Sequence, residues 1–270
     1  MAIRVVDQPI VSFQGEQVTA VGSAGTRTSW NVRRGYKELL VEASATGGIR
    51  LQLVPGIKAL IFFDSSTGKW SDILEATPTF LDREVATSTT ALGSMAVGDY
   101  LYVGFAGIIG GFTVDMGATV NGVTATLTGD YSDATRNWTA LSITDGSASA
   151  GATLAIDGNV TWTVPTNWST APLKKLVPGD GFAVTPEKPE LFWARFTVSA
   201  TLTAGIILGN LTVLGRIAPG VTDAAARTGG AYLKLNVEYT MDVDDDIGAV
   251  ELIAQGVGTV ATNLSWIGRR

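Results

Sequence analysis

Apolar and polar residues alternate with a period of two along much of the chain, in short runs. IRLQLV at 49–54 sets Ile49, Leu51 and Leu53 against Arg50 and Gln52, the spacing of a half-buried strand. KELLVEAS at 37–44 and IKALIFFD at 57–64 predict strands on either side of it, and SSTGKW then turns about Gly68. A meander of the three is the simplest topology they imply. From about 71 to 97 the pattern weakens, and SDILEATPTFLDREVATSTTALGSM has room for one helical turn in an irregular Thr/Ser-rich segment.

Strand patterns resume near residue 98 with DYLYVGF, GGFTVDMG, GVTATLTGDY and WTALSIT, then ATLAIDG, NVTWTVP, LFWARFTVSA and AGIILGNLTVLGRI. In GVTATLTGDY, Val123, Ala125 and Leu127 fall on one face and threonines on the other. Short strands broken by glycine-rich turns are the pattern of a sandwich or jelly roll. After the connector PGVTDAAARTGG, AYLKLNVEYTMDV at 231–243 alternates again, and GAVELIAQGVGTVATNLSWIG supplies further strands. The fold expected is all-β: a jelly-roll-like antiparallel β-sandwich over 83–215, with a second, smaller β region built from 1–82 and 216–270. A tail of this size makes a weak core alone, so it is expected to pack with the N-terminal strands.

GNVTWTVPTNW at 158–168 is the densest aromatic stretch. Strict alternation puts Val160, Trp162 and Val164 on one face, which assigns Trp162 to the core, and Pro165 marks a strand end or edge. Trp168, beyond the proline, fits either a plug at the end of the sandwich or an exposed ligand or edge contact. Trp138 and Trp193 bring the tryptophans of the middle region to four, which suits a small sandwich in need of large side chains.

Composition narrows the chemistry. Formal charge is −6, from 19 basic and 25 acidic residues, and no Lys/Arg run exceeds two, so a nucleic-acid groove has no support. Only 16% of residues are charged and 46% are apolar, which suits either a soluble all-β protein with short surface loops or a surface that faces other proteins. Cysteine and histidine are absent, which excludes disulfides, thiolate chemistry and any Ser-His-Asp or Cys-His arrangement. LYVGFAGIIGGF at 101–112 is too short and too glycine-broken to span a membrane as a helix, and MAIRVVDQPIVSFQGE lacks the apolar core of a secretory signal. Asp242, Asp244 and Asp246 in DVDDD are the best metal candidates, but they lack the spacing and distal glutamate of an EF-hand, so a solvated acidic turn is expected. Asp130, Asp133, Asp145 and Asp157 read as turn residues capping local N–H groups. No catalytic, cofactor or metal site is predicted, and no enzyme.

The succession YLYVGF…FTVDMG…NWTALSITDG…WTVPTNW…LFWARFTVSA, over about residues 98–204, resembles a β-sandwich module of tailed-bacteriophage structural proteins. The matching places are the Asp145-Gly146 turn, Trp162, Pro165, Trp168, Trp193 and Arg195. Where the module usually carries E-Y-W-N-G-S-A-W, this chain has GDYSDATRNW, so the first tryptophan is missing. The resemblance implies a non-enzymatic virion protein, assembled in the cytoplasm of a bacterial host. It implies a capsid decoration or cement protein, homo-oligomeric and bound to the major capsid protein. The alternative is a tail or fibre component with a carbohydrate- or host-binding sandwich, for which Trp168 is the first residue to test.

Overall fold

The computed structural model describes residues 10–22, 27–31, 38–45, 49–76, 92, 95–177, 188–215, 231–233, 238–242, 247–254 and 258–269. The chain divides into two compact units: Met1–Leu53 with Pro219–Arg270, and Val54–Ala218. In chain order the strands are β1 (Ile10–Gly22), β2 (Arg27–Asn31), β3 (Glu38–Ala45), β4 (Ile49–Pro55), β5 (Ile57–Asp64), β6 (Lys69–Asp72) and β7 (Tyr100–Phe105). They continue with β8 (Gly111–Met116), β9 (Leu127–Ser132), β10 (Trp138–Leu141), β11 (Ile143–Asp145), β12 (Gly158–Trp162) and β13 (Thr170–Ala171). The last are β14 (Leu191–Val198), β15 (Leu208–Leu214), β16 (Ala231–Leu233), β17 (Glu238–Asp242), β18 (Ile247–Ala254) and β19 (Gly258–Arg269).

The first unit holds two four-stranded sheets, in the orders β1-β19-β3-β17 and β16-β4-β18-β2. Every described pairing in it joins a strand from before residue 56 to one from after residue 230. The expected meander is therefore corrected: β3, β4 and β5 enter three different sheets. Local alternation specifies a strand and its buried face, but it carries no information about which strand lies alongside. AYLKLNVEYTMDV is likewise not one strand, since β16 pairs with β4 and β17 with β3.

The second unit is built on two antiparallel sheets that pack together. One has seven strands, β10-β9-β14-β7-β5-β6 with β13 added on β14, and the other has four, β11-β12-β8-β15. The first boundary lies between Leu53 and Val54, not at residue 82, because β5 pairs with β7 from Ile57↔Phe105 to Phe63↔Tyr100. The β5–β6 hairpin turns at Gly68 with φ of 67°, a left-handed conformation open to glycine. The single helical turn expected in the weak segment is Ile73–Ala76. ATLAIDG at 152–158, expected as a strand, is instead a loop that contributes only Gly158 to β12, and Leu154 within it has φ of 55°. GVTATLTGDY becomes a strand only from Leu127, and Val123 is exposed.

Between the sheets, Phe112 of β8 meets Phe196 of β14 edge-on at 5.3 Å, and Trp162 lies 6.0 Å from the same ring. Val103, Phe105, Val114, Leu211 and Val213 complete the filling, each at most 2% exposed. A second core lies on the opposite face of the seven-stranded sheet. There Ala59, Ile61, Tyr102 and Trp193 are covered by Ala171, Leu173 and Leu176, from β13 and the 3-10 turn Leu173–Lys175. Among the described residues, no helix is long and apolar enough to cross a membrane.

Candidate functional site

The residues singled out by sequence converge on β12, β14 and the connection between them. Val160 and Trp162 are buried, and the Trp162 Nε1–H donates to the Ile109 carbonyl at 3.1 Å. The strand stops at Trp162, before Pro165, because its partner β11 begins at Ile143, opposite Trp162, and offers nothing further to pair with. Val164 and Pro165 are half-buried in the connection that follows.

Trp168 is a buried plug. It is 5% exposed, and its ring lies 6.1 Å from Trp162 on the four-stranded sheet. On the seven-stranded side it lies 6.1 Å from Phe105 and Tyr131 and 6.3 Å from Phe192. Its Nε1–H donates to the Trp193 carbonyl at 3.1 Å, which satisfies the one polar group the ring would otherwise bury unpaired. Its backbone bridges Asp133 just past the end of β9, so the edge contact is made by the main chain.

Trp193 and Arg195 point to the opposite face. Trp193 is fully buried, and its Nε1–H donates to the Ala171 carbonyl at 2.8 Å, tying β13 to β14. Arg195 sits in the cross-strand row Ile61–Tyr102–Arg195–Asp130. Its Nε–H donates to Asp130 Oδ2 at 2.8 Å, while the guanidinium carbon lies 4.6 Å from the Tyr100 ring centre and 4.7 Å from that of Trp138. A planar, weakly hydrated cation suits such a double stack. The aromatic strip continues through Tyr102 to Trp70 at 5.4 Å and Phe63 at a further 4.6 Å. Burial pushes the Tyr102 phenol up to about 12, with the Arg195 charge and hydrogen bond pulling the other way. Phe63, Trp70, Tyr100 and Trp138 are half-buried, and Trp70 Nε1 is buried without an acceptor. Sequence reasoning missed this strip. Its signal was the odd-numbered series Trp193, Arg195 and Thr197, which alternation assigns to the face opposite Phe196.

The turn aspartates divide. Asp133 accepts from the Thr135 and Asn137 backbone N–H groups, and Asp145 accepts from Ser147 N–H and Oγ–H, as local caps do. Asp157 instead accepts from Met116 N–H at 2.7 Å across the sheet, and Asp130 pairs with Arg195. Of the acidic turn, Asp242 closes β17, while 243–246 lie outside the described residues. Among the described residues no group of three His, Cys, Asp or Glu side chains is placed to hold a metal ion. No protein-family profile, curated protein or solved structure matches the chain.

Proposed function

We propose that this chain is a non-enzymatic structural protein of a tailed-phage virion, and in particular a decoration or cement protein of the head that binds the major capsid protein. One observation carries the reading. The places that resemble the virion module form a single connected constellation: Trp162 touches Trp168, Trp168 hydrogen-bonds the Trp193 backbone, and Arg195 follows two residues on. The motif thus defines a packed scaffold. Support for a jelly-roll-like sandwich comes from nested pairing, since β8–β12 lies inside β7–β14 as in a long hairpin folded over, with β9 and β15 added beside β14 and β8. Carboxylates that might have served chemistry are committed to structure: Asp130 to Arg195, and the buried Asp99 to the N–H groups of Ser65 and Ala96. Clamping neighbouring subunits of a shell needs broad, mostly uncharged contact. The test is addition of purified protein to heads and to tails of the same phage. Saturable binding to heads at fixed stoichiometry is expected, and binding to tails alone refutes the assignment.

A tail or fibre component that binds carbohydrate is favoured by one specific observation, the half-buried aromatic strip about Arg195. Trp168 is buried and offers no platform. On this reading Trp138→Ala abolishes glycan binding without unfolding the protein, and retained binding excludes the strip.

A further inference from the structure

We infer that the Asn121-Gly122 step is a self-modification site, held unreacted by the folded loops and unable to return to them once it has reacted. This chemistry is independent of the virion reading. Asn121 stands in the connection between β8 and β9, at one end of the second unit. It is the one asparagine of the chain followed by glycine, since every other precedes Val, Trp or Leu. That neighbour decides the chemistry, because glycine has no Cβ to hinder its nitrogen in attacking the amide before it. In the reaction the Gly122 nitrogen bonds to Asn121 Cγ, the Cγ–Nδ2 bond breaks, and ammonia leaves with the proton that the nitrogen gave up. Water then opens the succinimide to aspartate or isoaspartate, so no oxidant or further reactant is needed.

The fold does not require glycine at 122. A Cβ there would meet only Thr203 Oγ1, at 3.8 Å, and the backbone is outside the left-handed region. The Asp145-Gly146 and Asp157-Gly158 steps differ. A Cβ at Gly146 would run into the Asn159 carbonyl, and one at Gly158 into the Gly146 carbonyl, so packing dictates both. Gly122 is also exposed, within reach of the water that the second step consumes.

What restrains the step is the fixing of Asn121. The residue is 2% exposed, and its amide is held at both ends. Nδ2 donates to the Val123 and Thr153 carbonyls at 2.8 and 2.9 Å, and Oδ1 accepts from the Val123 and Thr203 N–H groups at 3.0 and 3.1 Å. The Thr203 hydroxyl joins the two reacting groups: it accepts from Gly122 N–H at 2.9 Å and donates to Asn121 Oδ1 at 3.2 Å. The nitrogen therefore keeps its proton, and the amide is not free to turn and present Cγ. Reaction must pass through the fraction of molecules whose loops have parted.

The product does not fit back. An aspartate at 121 would set a carboxylate oxygen where Nδ2 stood, facing two carbonyl oxygens in a site almost closed to water, with its charge unpaired. Isoaspartate would in addition lengthen the backbone before Gly122. Each conversion thus removes the hub that ties 117–126 to Thr153 and Thr203, and works as a one-way latch.

The test is peptide mapping by mass spectrometry of the full chain aged at mildly alkaline pH, both native and unfolded in guanidinium chloride. Conversion adds about 1 Da at Asn121, and chromatography resolves the isoaspartyl form. The native chain is expected to convert about tenfold or more slowly than the unfolded one. Thr203→Val should raise the native rate severalfold. Gly122→Ala should suppress conversion in the unfolded chain and leave the native melting temperature unchanged. Equal rates in native and unfolded wild type overturn the inference, as does an Asn121 that survives unchanged in guanidinium chloride or a Thr203→Val protein that converts no faster than wild type. Asn121→Asp, made directly, reads the latch: it should melt below wild type and exchange its 117–126 amide hydrogens faster, and wild-type melting and exchange would overturn the one-way step.

Discussion

Replacing Trp168 by alanine removes a ring that touches Phe105, Tyr131, Trp162 and Phe192, and so opens a void between the two sheets. Large-to-small changes of a buried tryptophan cost about 3–5 kcal/mol. Loss of the Nε1–H donor leaves the Trp193 carbonyl one partner short, at about 1 kcal/mol. A total of about 4–6 kcal/mol is a large share of the ~5–15 kcal/mol that holds a domain folded. At about 2–4 °C per kcal/mol for a unit of this size, the melting temperature should fall by roughly 8–24 °C. Trp168→Phe separates the contributions, since it keeps most of the ring and loses only the donor and some volume, for about 1–2 kcal/mol. Urea and thermal unfolding followed by fluorescence suit the measurement, because five of the seven tryptophans lie within Val54–Ala218. Far-UV circular dichroism in parallel shows whether the two units melt together. A Trp168→Ala protein that melts within about 2 °C of wild type, with an unchanged near-UV spectrum, would refute the plug.

Arg195→Met should cost about 1–2 kcal/mol, through two cation–π contacts and a partly exposed ion pair whose side chains are 21% and 29% accessible. Arg195→Lys should recover only part of this, because lysine lacks the planar stack. The Tyr102 phenol should titrate near 12 by absorbance at alkaline pH, and higher still in Arg195→Met, where the opposing charge is gone. With the folded value raised, the unfolded chain releases this proton first, so the Tyr102 contribution is complete below the model-compound value of 10.0 and is lost as pH rises towards 12. At the acid limb, the Asn137 N–H and then the Thr135 hydroxyl hold Asp133 below its ordinary 3.8, and the Ser66 and Thr67 hydroxyls do the same for Asp64. Their stabilisation is present above 3.8 and is lost as pH falls through the lower folded values, so the difference in stability between wild type and Asp133→Ala should shrink on acidification.

Faces were legible in the sequence where the strand was regular. Val160 and Trp162 were assigned to the core by alternation alone, and both are buried. Partners were not legible, because period two specifies a face and leaves the neighbour open. WTALSIT shows the cost: it looks like one strand, yet Trp138–Leu141 pairs with β9 in one sheet and Ile143–Asp145 with β12 in the other. ATLAIDG misled for a different reason. Its buried Ala152 and Leu154 mimic alternation, but they are held by hydrogen bonds to loops, with Ser147 Oγ accepting from Leu154 N–H and the Ser147 carbonyl from Ala155 and Ile156. The Asp145-Gly146 and Asp157-Gly158 steps pinch the base of that loop, where Gly146 N–H donates to the Asn159 carbonyl at 2.8 Å. A Cβ at Gly158 would collide with the Gly146 carbonyl, so the two glycines carry information that alternation cannot express.

The tryptophans that draw attention in the sequence belong to the scaffold of the second unit. Trp162, Trp168 and Trp193 have each sent the indole N–H to a backbone carbonyl of a neighbouring segment, so they act as cross-links of the scaffold. Such rings are large and chemically distinctive, which makes them easy to find by eye and easy to overvalue as sites. The loops at one end of the second unit are less conspicuous: small residues and a few exposed aliphatic groups that no periodicity places outside. Alternation puts Val123 on one face with Ala125 and Leu127, yet Ala125 is buried and Val123 exposed, because β9 begins only at Leu127. These loops are fixed by hydrogen bonds such as those of Asn121, and a side-chain amide bonded to loop backbone leaves no periodic trace in the sequence.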